Sequence, residues 1–119
     1  MRYTKSLKGN INFKRVLKQG KYVSGKNLAI YVKRNDFQCE MNLLGICVSK
    51  KHGNSVVRNK LKRWVREAYY SLEKEVDKKY NIVILYRKGI DVEKMDYFVI
   101  KDEITHLFTK NELVHGKEI

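Results

Sequence analysis

Hydrophobic residues recur along this chain with two different periods, and the switches between them divide it into elements. Phe13, Val16 and Leu17 fall at helical spacing behind Asn10, which can cap a helix, and ahead of Gly20, which suits a left-handed stop. A short helix is therefore predicted over 10–20, with Lys14, Arg15 and Lys18 riding on it. After a turn around Ser24 and Gly25 the pattern alternates over 27–33. Leu28, Ile30 and Val32 share one side, and Ala29, Tyr31 and Lys33 the other. The polar stretch 35–42 (NDFQCEMN) reads as a turn region. A second alternating strand is predicted over 43–49, with Leu44, Ile46 and Val48 facing away from Gly45, Cys47 and Ser49. The two strands are close enough in sequence to form a hairpin.

Helical spacing returns behind Asn54 or Ser55, either of which can cap, and persists to about Val76, with 77–81 closing the helix. At roughly 100° per residue, Val57, Leu61, Trp64, Val65, Ala68 and Leu72 share one side, which assigns Trp64 to the core. The continuous apolar run 82–86 (IVILY) reads as a strand buried on both faces. Strand, long helix, strand makes it parallel to the strand over 43–49. Asp96 can cap a final amphipathic helix carrying Tyr97, Ile100, Ile104, Leu107 and Phe108. Residues 1–8 read as a basic, loosely held lead-in, and the tail from Asn111 as frayed. The expected architecture over 1–119 is a single α+β domain, an α/β sandwich whose small mixed sheet carries one long and two shorter helices.

Charge changes this picture from a scaffold into a surface. At 119 residues the chain can bury a core without disulfides or a structural metal, and its net charge of +13 exceeds what solubility requires. Residues 1–66 hold 17 Lys/Arg against Asp36 and Glu40, a formal +15. Residues 67–119 hold 9 against 11 acids, a formal −2. The positive charge is densest over 50–66 (KKHGNSVVRNKLKRWVR), where seven of seventeen residues are Lys or Arg and none is acidic. On the long helix Arg58, Asn59, Lys62, Arg63 and Arg66 lie opposite the apolar side. A face of one sign needs an anionic partner, and phosphate suits guanidinium forks. Gly53 allows close backbone approach, and the helix N-terminus favours an anion among Lys50, Lys51, Arg58 and Lys62.

The run KKHGNSVVRNKLKRWVRE, following an alternating strand, closely resembles the signature of the protein subunit of bacterial ribonuclease P. That signature has a lysine pair, a Gly-Asn, and an Arg-Asn-Arg-x-Lys-Arg run opening the long helix. Arg58, Asn59, Lys62 and Arg63 fall on it directly. Lys60 replaces its second arginine, so a bidentate fork becomes a point charge. The similarity extends from the helix over 10–20 to the HLF at 106–108. The resemblance implies a protein that joins a catalytic RNA and helps it remove 5′ leaders from precursor tRNA. RNA-binding residues would be Lys50, Lys51, Asn54, Arg58, Asn59, Lys60, Lys62, Arg63 and Arg66. Phe13, Lys14, Leu17 and Tyr31 would line a cleft for the single-stranded leader; the family usually has a second aromatic where Leu17 stands. It further implies a left-handed strand–helix–strand crossover, where pattern reasoning alone favours a right-handed one. Mg²⁺ would be held through the RNA subunit, with none bound by the protein alone. The partners would be the catalytic RNA and precursor tRNA, with no protein partner evident.

The residues support a leader groove on their own terms. Single strands are held by apolar or aromatic platforms beside basic side chains. Phe13 and Leu17 stand one turn apart next to Lys14 and Lys18, and Tyr31 points away from Leu28, Ile30 and Val32. Periodicity alone equally allows Phe13 and Leu17 as core and Tyr31 as an ordinary half-buried tyrosine.

No protein catalytic set is legible. His52 can touch phosphate when protonated, though a plain solvated histidine is the simpler reading; His106 and His115 read as surface residues. Cys39 and Cys47 lack the short paired spacing of a zinc site and read as free thiols. Turn and cap roles suffice for Asp91, Glu93 and Asp96. Without a signal peptide or an apolar run near the length of a membrane span, a cytoplasmic location off the membrane is expected. Three alternatives use the same basic face: a general RNA-binding module, a helix-turn-helix DNA binder, and a membrane-surface protein. The second fits poorly because the basic helix follows a strand. In the third, Leu61 and Trp64 would face lipid, but the strands can cover them.

Overall fold

The apolar run in the second half of the chain takes the middle of the sheet. In the computed structural model, which describes residues 4–7, 9–34 and 41–111, the elements are β1 (Thr4–Ser6), α1 (Asn10–Gln19), β2 (Lys21–Ser24), β3 (Leu28–Arg34), β4 (Asn42–Cys47), α2 (Ser55–Leu72), β5 (Tyr80–Tyr86) and α3 (Tyr97–Lys110). The sheet order is β1-β4-β5-β3-β2. β4 is parallel to β1 and β5, and β3 is antiparallel to β5 and β2. This is an α+β fold with a mixed five-stranded sheet and three helices.

Both faces of the sheet are covered, as the continuous run in β5 demands. Ile82, Ile84 and Tyr86 join Leu28, Ile30, Val32 and Leu44 in the main core, beneath Leu61, Val65, Ala68, Tyr69 and Leu72 of α2 and Ile100, Ile104, Leu107 and Phe108 of α3. On the other face Val83 packs with Val16 of α1 and Leu7. Trp64 is half-buried against the main core. Asp96 caps α3, its Oδ1 accepting from Val99 N at 2.9 Å. Among the described residues, no helix is long and apolar enough to cross a membrane.

Several expectations are corrected. β3 and β4 do not form a hairpin, because β5 lies between them; the hairpin partner of β3 is β2, which the sequence pattern did not show. Burying 82–86 on both sides requires an interior position, and that requirement overrides sequence proximity. The lead-in is held where described: Thr4–Ser6 pairs with β4, Leu7 N donates to Leu44 O at 2.9 Å, and Thr4 and Leu7 are buried. Asn10 is the first helical residue of α1 and Gly9, at φ 93°, is its cap. Gly20 is extended at φ −78°; it is needed for proximity, since a Cβ would lie 2.5 Å from Val16 O.

α2 ends at Leu72 in a 3-10 turn, Glu73–Glu75, with Val76 extended and Tyr80 already in β5. Tyr69, absent from the expected apolar side, is fully buried. Its phenol meets Thr4 Oγ1 at 2.7 Å and accepts from Asn42 Nδ2 at 3.3 Å. Asn42, assigned to a turn, instead begins β4 and also joins Asp77 O and Tyr80 N at 2.8 and 2.9 Å. Asn111 is buried, its N–H donating to Leu107 O at 2.9 Å, so the end of α3 is not frayed there. Residues 1–3, 8, 35–40 and 112–119, which include Cys39 and His115, lie outside the described residues.

Candidate nucleic-acid interface

Strand alternation that sends Leu44 into the main core turns Gly45 and Cys47 to the α1 side of β4. The strand registers then align two rows across that side. One row is Tyr22, Tyr31, Val83 and Gly45; the other is Ser24, Ala29, Leu85 and Cys47. α1 lies along the first row, with Val16 against Val83 and Phe13 over Gly45, where any Cβ would collide with the tip of the ring. In the second row Ser24, Leu85 and Cys47 each keep part of their surface open. The strip beside α1 is a shallow floor of small and apolar side chains.

The expected leader residues border this strip. Phe13 and Tyr31 are half-buried and packed on the Leu7, Val16 and Val83 cluster, so each is partly core and partly open. Leu17 and Lys14 are exposed on α1. Tyr22, which sequence reasoning missed, stands opposite Tyr31 with ring centroids 4.8 Å apart.

The other half of the interface is one flank of α2. Arg58, Lys62 and Arg66 follow one another at intervals of four, with Asn59 and Arg63 beside them. Arg58 and Lys62 are half-buried at the edge of the packed side, while Asn59, Arg63 and Arg66 are exposed. Arg58 Nε donates to Gly53 O at 3.2 Å, which holds its guanidinium against the first turn. Arg63 approaches Glu67 at 3.9 Å with both side chains more than half exposed. Such a pair is worth about 0–1 kcal/mol, too little to withhold Arg63 from a phosphate. Lys60 departs from this flank: its ammonium lies 5.8 Å from the Trp64 ring centroid, on the other side of the helix.

The approach to α2 is equally built. Asn54 Oδ1 accepts from Val57 N at 3.0 Å, so Asn54 is the cap. Gly53 adopts φ 146°, a conformation that L side chains rarely adopt, and a Cβ there would lie 2.9 Å from Val57. Lys50 and Lys51 are exposed on a 3-10 turn, where Ser49 Oγ accepts from Lys51 N at 3.1 Å. His52 is half-buried, not plainly solvated. Its Nε2–H donates to Arg87 O at 3.1 Å and ties this turn to the end of β5.

Cys47 joins the two halves. Burial pushes its thiol above the ordinary range, and the Lys62 ammonium pulls partly the other way. β4 runs on from Cys47 through the exposed Lys50 and Lys51 into α2, so the chain leads from the floor beside α1 to the basic helix. At neutral pH this thiol is protonated and a poor nucleophile. Among the described residues no group of three or more His, Cys, Asp or Glu could hold a metal ion. Arg58 and Lys62 would in any case repel a cation from this surface.

Comparison with known proteins identifies the family and the fold. The family model described as Ribonuclease P matches residues 1–112. The chain is 37% identical over 108 residues to the ribonuclease P protein component of Clostridium acetobutylicum, covering 91% of this chain and 89% of that protein. It is 33% identical over 108 residues to the corresponding protein of Oceanobacillus iheyensis, covering 91% and 87%. The solved structure of the Staphylococcus aureus RNase P protein matches with TM-score 0.80 at 28% identity, covering 95% of this chain and 98% of that one. The RNase P protein from Thermotoga maritima matches with TM-score 0.79 at 28% identity, over 89% and 96%. By its sequence over nearly its whole length and by its fold, the chain belongs to the ribonuclease P protein family.

Proposed function

We propose that this protein binds the catalytic RNA of ribonuclease P along the α2 flank and receives the 5′ leader of precursor tRNA on the strip beside α1. The observation that carries this reading is that β4, with Gly45 under Phe13 and Cys47 on the α1 side, leads through the exposed Lys50 and Lys51 directly into the basic helix α2. Arg58, Lys62, Arg63 and Arg66, with Lys50 and Lys51, neutralise phosphates. Asn54 and Gly53 fix the start of the helix that presents them, and Asn59 offers an amide beside the cations. Phe13, Leu17 and Tyr31 supply apolar and aromatic contact to unpaired bases, and Lys14 supplies charge for the backbone. Lys60, on the opposite flank, serves a peripheral phosphate.

The protein's contribution to cleavage is positional. It shields phosphate repulsion between the two RNAs and holds the leader on one path, which lowers the entropy lost on reaching the reactive arrangement. Mg²⁺ bound through the RNA would act as the Lewis acid at the scissile phosphate.

The direct test is cleavage of a precursor tRNA by a bacterial ribonuclease P RNA at low Mg²⁺, with and without this chain. Added protein should restore 5′-leader removal that the RNA alone performs poorly under those conditions. No stimulation, or hydrolysis of the precursor by the protein alone, would overturn the proposal.

A further inference from the structure

The strip beside α1 does not end at Tyr31. β2 is one of the two edge strands of the sheet, and its Tyr22 is paired directly with Tyr31 across β2 and β3, on the same face. The two rings are tilted by 51° at 4.8 Å, so Tyr31 supports one side of Tyr22. Tyr22 is nevertheless 52% exposed, whereas Tyr31 and Phe13 are half-buried against Val16 and Val83. Of the three rings it has the most surface left for a ligand. A bare edge tyrosine held by a second ring is a costly thing to leave in water, and a preorganised platform for a base. A cation stands near the same corner, with Lys18 in the last turn of α1.

We infer that Tyr22 stacks on a base of the precursor tRNA leader and extends the leader path to the edge of the sheet. The inference rests on the leader assignment made above and adds a residue and a location to it. From Cys47 on β4 the row crosses β5 and β3 to Ser24 on β2, three interstrand steps of about 4.8 Å, or about 14 Å, and Tyr22 lies two residues from Ser24 along β2, a further shift of about 7 Å. The base on Tyr22 is thus several nucleotides upstream of whatever lies beside Lys62. Leaders too short to reach the edge cannot use it.

The test uses the reconstituted holoenzyme and precursor tRNAs of graded leader length, with mature tRNA as the zero point. Tyr22→Ala should lower affinity for long-leader precursor by roughly 5- to 150-fold, the loss expected for one stacked base. Short-leader precursor and mature tRNA should bind unchanged. Tyr22→Phe should match the wild type. Tyr22→Leu, which still covers Tyr31 but offers no ring face, should behave like Tyr22→Ala. A 2-aminopurine placed at the distal leader position should be quenched by the wild type and by Tyr22→Phe, and released by Tyr22→Leu. Equal losses at every leader length, no loss at any, or full function in Tyr22→Leu would overturn the assignment while leaving the groove intact. Wild-type holoenzyme that binds precursor and mature tRNA equally would remove the groove and Tyr22 together.

Discussion

Gly45 shows how a single missing side chain shapes this surface. The tip of Phe13 occupies the volume a Cβ would need, so the ring reaches the sheet only because β4 carries glycine there. Gly45→Ala must displace an aromatic ring packed on Val16 and Val83, an overpacking change that costs typically about 1–3 kcal/mol. The expected outcome is a protein still folded by circular dichroism, with normal affinity for the catalytic RNA but weaker preference for precursor over mature tRNA. Unaltered preference would show that Phe13 does not border the leader. Cys47, two residues on, is held protonated by burial, with the Lys62 ammonium pulling partly the other way. Tyr86 is held neutral by the same physics: burial, and secondarily the Glu103 carboxylate, raise its phenol well above 10, and its O–H donates to Leu61 O at 2.8 Å.

At the scale of the element, α2 is oriented by what it buries. Leu61 and Val65 are fully buried, each worth about 1.5–3 kcal/mol, against about 0–1 kcal/mol for the exposed Arg63–Glu67 pair. The apolar side therefore sets the roll of the helix, and the flank of Arg58, Lys62 and Arg66 points where that roll leaves it. Replacing both Arg58 and Lys62 with Ala should reduce the slope of log affinity for the catalytic RNA against log salt by roughly 1.5–2 units, two phosphate contacts' worth. Lys60→Ala should reduce it less, since Lys60 lies over Trp64 on the other flank. A slope untouched by the double substitution would place the RNA on another face.

Long elements were the legible ones. α2, α3 and β5 declare themselves by sustained period or continuous apolarity, and the caps Asn54 and Asp96 follow from side-chain chemistry. β1 and β2 are three and four residues long, too short for alternation to register, and with β2 went Tyr22. Tyr69 is buried because Thr4 and Asn42 satisfy its hydroxyl from 65 and 27 residues away, a meeting no local pattern shows. The cationic residues could be read from spacing, but not that Lys60 lies over Trp64, apart from them.

Over the whole molecule, positive charge is concentrated in the first half of the chain, and the acids of the second half serve the frame. The acids crowd into residues 67–119, and Glu103 of α3 shows their use. Its carboxylate accepts from Asn27 N, Asn27 Nδ2 and Leu28 N at 2.8, 2.9 and 2.7 Å, pinning the turn between β2 and β3. That turn leads the edge strand β2 into β3, and the three bonds tie it to α3. The uneven charge, a formal +15 over residues 1–66 against −2 over 67–119, also orients the protein toward polyanions before contact. The most direct measurement of this arrangement is the alkylation rate of Cys47 in the reconstituted holoenzyme, with Cys39→Ser removing the second thiol. If the leader covers the floor on which Cys47 sits, precursor tRNA should slow the reaction severalfold relative to mature tRNA; identical rates with the two would contradict a leader path from Lys62 across the sheet.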